Sequence, residues 1–144
     1  MYIYFRYGHK PSSHSLDYTP WVKHEAQLHM IVQSWDEDEA TIQYRLSGVE
    51  WGTEYLGLDG VDANAPVIGS TTMHIAQPAR YMAIEVKAAV QKWFFDSPGA
   101  NNNGLLIKVE DEDLIGRDLR FYSNAYSDSD YHAFISLTCT SSTQ

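Results

Sequence analysis

The segment His24-Glu25-Ala26-Gln27-Leu28-His29 sets two histidines around a glutamate, the residue types of a zinc hydrolase. A helical metal site of that kind needs its histidines four apart, so that both lie on one face. Here they stand five apart, about 140° round a helix and on opposite faces of a strand, so no shared ion is expected. Two acidic runs, Asp36-Glu37-Asp38-Glu39 and Glu110-Asp111-Glu112-Asp113, each follow a strand-like stretch. Their plain reading is solvated charge in turns, guarding strand ends. Their sharper reading is Ca²⁺, a hard cation that takes clustered oxygens, with Asp36, Asp38, Asp111 and Asp113 as ligands. Neither run has the D-x-D-x-D-G spacing of a calcium loop. A carboxylate pair for glycoside hydrolysis needs two acids facing each other across a sugar, and nothing in the spacing places them so. No G-x-S-x-G elbow, Walker loop or G-x-G-x-x-G is present. Neither a catalytic residue nor a resident cofactor is expected. A polysaccharide-active enzyme is the least favoured reading.

Aromatic residues are the other chemical resource: four Trp, ten Tyr and five Phe. Trp93 and Phe94 fall on a helical apolar stripe and are expected in the core. Trp51 and Tyr55, in a loop-rich stretch, and Tyr126 and Tyr131, in a Ser/Asp-rich one, are better placed to be exposed. Flat rings beside Asp and Asn suit a sugar, so Trp51, Tyr55 and Tyr126 are the glycan candidates. The plain alternative is that each Tyr packs its ring and wets its hydroxyl.

Ten Lys and Arg against nineteen Asp and Glu leave a net charge of −9, which argues against phosphate-backbone binding and hence against a nucleic-acid partner. No apolar run approaches the ~18 residues of a membrane helix, and the first residues lack a signal-peptide pattern. A single cysteine, Cys139, excludes an intrachain disulfide and a cysteine-based zinc site. Its place on an apolar alternation reads as a buried, inert thiol.

The elements that must position these residues are mostly strands. Thr41 to Ser47 alternates, with Ile42, Tyr44 and Leu46 on one side; Leu28, Met30 and Val32 do the same. Further alternations are Leu105, Ile107 and Val109, then Leu119 and Phe121, then Ile135, Leu137 and Cys139. Residues 2–7 carry four aromatic residues, Tyr2, Tyr4, Phe5 and Tyr7, and read as a strand covered on both faces. The one helix runs over about residues 86–95, where Val86, Ala89, Val90, Trp93 and Phe94 form a stripe. Asp96-Ser97-Pro98-Gly99 stops it, and Asn101-Asn102-Asn103-Gly104 turns the chain into the next strand. These signals predict one domain over residues 1–144: mainly β, an antiparallel β-sandwich with one short α-helix.

From Tyr81 onward the chain resembles the DNRLRE-type domain family, relatives of carbohydrate-binding modules. The resemblance runs through Tyr81-Met82-Ala83-Ile84-Glu85-Val86, Val90-Gln91-Lys92-Trp93, Asn103-Gly104-Leu105-Leu106-Ile107-Lys108 and Arg120-Phe121-Tyr122-Ser123-Asn124-Ala125-Tyr126, with a last strand over His132 to Leu137. Ala26 to Val32 and Thr41 to Leu46 resemble earlier family strands. The family's tryptophan-rich W-x-E segment is matched only by Trp51 and Glu54. Family members also begin with one or two strands before the one that Tyr2 to Tyr7 resembles. The resemblance implies a jelly-roll-like sandwich and an extracellular or cell-surface module without enzymatic activity, linked with glycan binding, adhesion and surface assembly.

A sandwich short of its first strands leaves a sheet edge open to a neighbour's strand. Residues 1–10 are then an edge or strand-exchange segment, with Tyr2, Ile3, Tyr4 and Phe5 as assembly residues. The leading expectation is a module that acts by protein–protein assembly, as a homo-oligomer or a surface-filament subunit using strand complementation. The alternative is a carbohydrate-binding module.

Overall fold

The computed structural model describes residues 1–9, 23–53, 56–74, 80–96, 102–109 and 119–138. In chain order the strands are β1 (Tyr2–His9), β2 (Lys23–Met30), β3 (Tyr44–Leu46), β4 (Val49–Glu50), β5 (Gly69–His74) and β6 (Arg80–Glu85). Helix α1 (Lys87–Gln91) follows and continues as a π-helical turn over Lys92–Asp96. Then come β7 (Leu105–Val109), β8 (Leu119–Phe121), a 3₁₀ turn at Ser129–Tyr131 and β9 (Phe134–Ser136). The protein is thus mainly β, with antiparallel pairings and one short helix. Two compact units divide the chain: residues 1–26, 70–87 and 109–144 form one, and residues 27–69 and 88–108 the other. They are interleaved along the sequence, so no linker marks them.

In the first unit β1 lies in the middle of its sheet. β6 runs antiparallel along one side, from Tyr2↔Glu85 to Tyr7↔Arg80. The other side takes β9 at Tyr2↔Ser136, Ile3↔Ile135 and Tyr4↔Phe134, then β8 at Tyr7↔Phe121, Gly8↔Arg120 and His9↔Leu119. The expectation of an edge segment at residues 1–10 is corrected for Tyr2, Ile3 and Tyr4, which β6 and β9 flank. Each of these three has a ladder partner on both sides within its own chain, while Phe5 registers with Met82 on β6. The two faces also differ, whereas cover on both was expected. Ile3 and Phe5 register with Ile84 and Met82, which are buried. The opposite face carries Tyr2, Tyr4 and Arg6 beside Tyr81 and Phe134, and Tyr2, Tyr81 and Phe134 are exposed.

In the second unit Leu28, Met30, Ile31, Trp51, Ala63, Ala89 and Val90 are buried. Strands β3 and β4 pair there as a hairpin. Ser47-Gly48 closes that hairpin, with Gly48 at φ +72, a conformation that favours glycine. Three expectations are corrected here. Only residues 44–46 of the 41–47 alternation are strand, and Ile42 is 70 % exposed while Tyr44 and Leu46 are half-buried. The cause is the Thr41 hydroxyl, which accepts from the amides of Gln43 (3.2 Å) and Tyr44 (3.0 Å) and bends the chain before the ladder begins. Val32 is exposed, whereas His29 is buried beside Leu28. Its Nδ1 stands 3.0 Å from the Asn64 carbonyl, so that nitrogen carries the proton. Phe94, expected in the core, is 67 % exposed. The π turn takes more residues per turn than the α-helix, so the stripe of Val86, Ala89 and Val90 does not continue through it.

Candidate functional site

The second unit contains an open groove of about 410 Å³, lined by Ser34, Trp35, Glu37, Asn102, Asn103 and Gly104. Its first wall is the chain just after β2, its second the chain just before β7. Backbone pairing brings them together: the Ile31 amide donates to the Gly104 carbonyl (3.2 Å). Side chains complete the join. The Trp35 indole N–H donates to the Asn103 carbonyl (2.6 Å), and the Asn103 amide group donates to the Val32 carbonyl (2.5 Å). Gly104, at φ +88, turns the chain, while its amide donates to the Asn102 side chain (3.1 Å). The asparagine–glycine run is thus a turn at residues 102–104, as its composition predicts. Trp35 keeps 40 % of its surface exposed.

Charge surrounds this groove. Residues Asp36 to Glu39 form an exposed turn, in which the Asp36 carboxylate accepts from the Asp38 amide (2.9 Å) and its carbonyl from the Ala40 amide (2.8 Å). Glu39 accepts from the Ser47 amide (2.8 Å). Arg45 donates to the Ser34 carbonyl (2.9 Å), which fixes the groove's first residue.

Trp51 corrects the expectation of an exposed platform. Only 9 % of its surface is accessible, and its indole N–H donates to the Thr41 carbonyl (3.0 Å). The loop beyond it closes on Asp62, which is fully buried and accepts from the Gly52 amide (2.7 Å), the Thr53 amide (2.7 Å) and the Thr53 hydroxyl (2.6 Å). Burial alone would raise its pKa. Hydrogen bonds from the Thr53 hydroxyl and the Gly52 and Thr53 amides, helped by the charge of Arg45, outweigh that and hold the carboxyl below the ordinary 3.8. Asp62 is therefore a structural anion that staples the loop. Tyr55 and Glu54 lie outside the described residues, as do Asp111, Asp113 and Cys139.

In the first unit Tyr126 is exposed, as expected, but it is built into a cluster. Its ring centre stands 4.8 Å from that of Tyr122 and 5.3 Å from that of Tyr131. Arg6 lies over Tyr131 at 3.4 Å and over Tyr81 at 5.6 Å. His132 Nε2 donates to the Tyr126 carbonyl (2.7 Å), and the Tyr81 hydroxyl to that of Asp130. Rings this close leave no space between them for a ligand, so the cluster holds the 122–132 loop against the sheet.

Among the described residues no group of three or more His, Cys, Asp or Glu converges as a metal site would require, and Asp36 and Asp38 gather no third carboxylate. No helix among them is long and apolar enough to cross a membrane. No family model, curated protein or solved structure matches this chain.

Trp35 and Asn103 were not singled out by their sequence context. The one local signal was a tryptophan between a strand and an acidic run, and its asparagine partner lies 68 positions away.

Proposed function

We propose that this chain is a non-enzymatic recognition module that binds glycan in the groove beside Trp35. The observation that carries the reading is an exposed indole sharing an open, polar-walled groove with Ser34, Glu37, Asn102 and Asn103. A sugar ring offers a flat C–H face and a belt of hydroxyls. The indole covers the first, and short polar side chains bond the second. The groove's volume falls in the ~300–1,000 Å³ range of small-ligand sites. The resemblance to DNRLRE-type domains supports an extracellular or cell-surface setting, a jelly-roll path and the lack of catalysis. In an oligosaccharide titration followed by NMR, the Trp35 indole N–H signal should shift, and Trp35→Ala should weaken binding roughly 3- to 10-fold. Titrations that move no groove resonance with any neutral or charged oligosaccharide would overturn the reading.

Assembly with further copies is the second reading, and β9 favours it. Among the described residues β9 pairs with β1 alone, and Phe134, Ile135 and Leu137 are all exposed. An apolar edge of that kind attracts another strand. Solution mass should then fall when Ile135 is replaced by Lys; a monomer before and after the change removes the idea.

A further inference from the structure

Resting on the second reading, assembly between copies, we infer that two copies join by antiparallel pairing of β9 with β9 about a two-fold axis at Ile135. Across the first unit's sheet Ile84, Ile3 and Ile135 form one row, by the register of β6, β1 and β9. Cover fades along that row: Ile84 is fully buried, Ile3 half-buried and Ile135 46 % exposed. On the other face Phe134 stacks on Tyr4, with ring centres 4.7 Å apart, and is exposed as well. Every residue from Ala133 to Thr138 is exposed, and among the described residues β9 pairs with β1 alone. The apolar rows thus reach the last strand and stop there uncovered on both faces.

Sheet edges are normally guarded by a lysine, a proline or a bulge. From Ala133 to Gln144 the sequence holds no charged residue, proline or glycine, and the β1–β9 register runs from Tyr2 to Tyr4 without a shift. Charge and size together name a second copy as the occupant. At a net charge of −9 two copies repel each other, and this strip carries no charge to add to that repulsion. A two-fold axis at Ile135 sets Ile135 against its own counterpart, Phe134 against Ser136 and Ala133 against Leu137. Outside the central isoleucines each large side chain then faces a small one. The Ile84–Ile3–Ile135 row continues into the second copy's sheet, as cross-strand apolar pairs. The six exposed residues of Ala133–Thr138 fall short of the ~20–30 a side of a standard interface, so the dimer is weak and forms at high protein concentration.

The test uses the whole chain with Cys139 replaced by Ser, so that each cysteine variant carries one thiol. Solution mass should rise with concentration from monomer towards dimer and no further. Higher salt should strengthen the association, because it screens two like-charged copies. Under mild oxidation Ile135→Cys should cross-link roughly tenfold faster than Thr138→Cys. Directly opposite Cβ atoms stand about 5 Å apart, near disulfide reach. The same axis holds the two copies of residue 138 six positions apart along the strands, about 20 Å. Both positions are exposed, so neither change opens the core.

Cross-linking no faster at residue 135 than at residue 138 overturns the inference. A mass that still rises with concentration then leaves assembly standing through another surface, whereas a monomer throughout removes that reading too. A mass that climbs past the dimer also overturns the inference, since a two-fold contact closes on itself.

Discussion

The Trp35 indole N–H donates to the backbone carbonyl of Asn103 across 2.6 Å, joining residues 68 positions apart. This bond sets the tilt of the indole at the groove, because the Asn103 side chain is tied in turn to the Val32 carbonyl. A ring held at one end loses little conformational freedom when a ligand lands on it.

Replacing Trp35 by Phe separates anchoring from stacking. The phenyl ring keeps an apolar face but has no donor for the Asn103 carbonyl. Glycan affinity should fall between that of the wild type and that of Trp35→Ala, and stability by about 1 kcal/mol. Calorimetric titration and urea unfolding measure the two effects independently.

Asp62→Asn should destabilise the fold by roughly 2–4 kcal/mol, since an amide nitrogen would meet the Gly52 or Thr53 donors that a carboxylate oxygen now accepts. The pH dependence follows from the direction of the shift. The folded-state pKa lies below 3.8, so the contribution of Asp62 is complete above about that pH and is lost as pH falls through the lower folded value. Urea midpoints recorded from neutral pH down into this range should fall more steeply for the wild type than for Asp62→Asn. Parallel curves would show that the carboxylate does not contribute as a charge.

Gly104→Ala probes the turn under the groove. A Cβ there would stand 3.8 Å from the Trp35 Nε1, an ordinary contact, so space is no obstacle. The cost lies in the backbone, at φ +88, and should be about 1–2 kcal/mol. Asn at this position should cost less, because its side chain tolerates positive φ better. Thermal unfolding of the two variants gives the ranking.

Arg6→Lys should loosen the 122–132 loop while leaving the sheet intact. A lysine keeps the charge but loses the flat guanidinium that lies 3.4 Å over Tyr131. About 1 kcal/mol of local stability should disappear. Hydrogen exchange should speed up at the Tyr131 and His132 amides, which donate within the 3₁₀ turn, and stay unchanged in β6.

Strands with a buried face were legible as alternation. The positions of β7, β8 and β9 follow from their period of two, although Ile135 on β9 and Leu137 just after it are exposed. Alternation misled where a side chain competed with the ladder, as the Thr41 hydroxyl does at Ile42. It misled again at Phe94, where a change of helical pitch turned an apolar stripe outward. The groove was illegible for a different reason. Trp35 looks like any interior aromatic until β7 brings Asn103 beside it, and Trp51 looks exposed until Thr41 supplies an acceptor for its indole. Local patterning carries strand faces, whereas sites assembled by distant pairing leave no local trace.

The central place of β1 has a consequence during synthesis. Its described ladder partners all lie at residue 80 or later. A nascent chain must therefore carry Tyr2, Ile3, Tyr4 and Phe5 unpaired until most of it has left the ribosome. Such long-range closure makes folding slow and exposes a sticky aromatic segment to chaperones and to other unfinished chains.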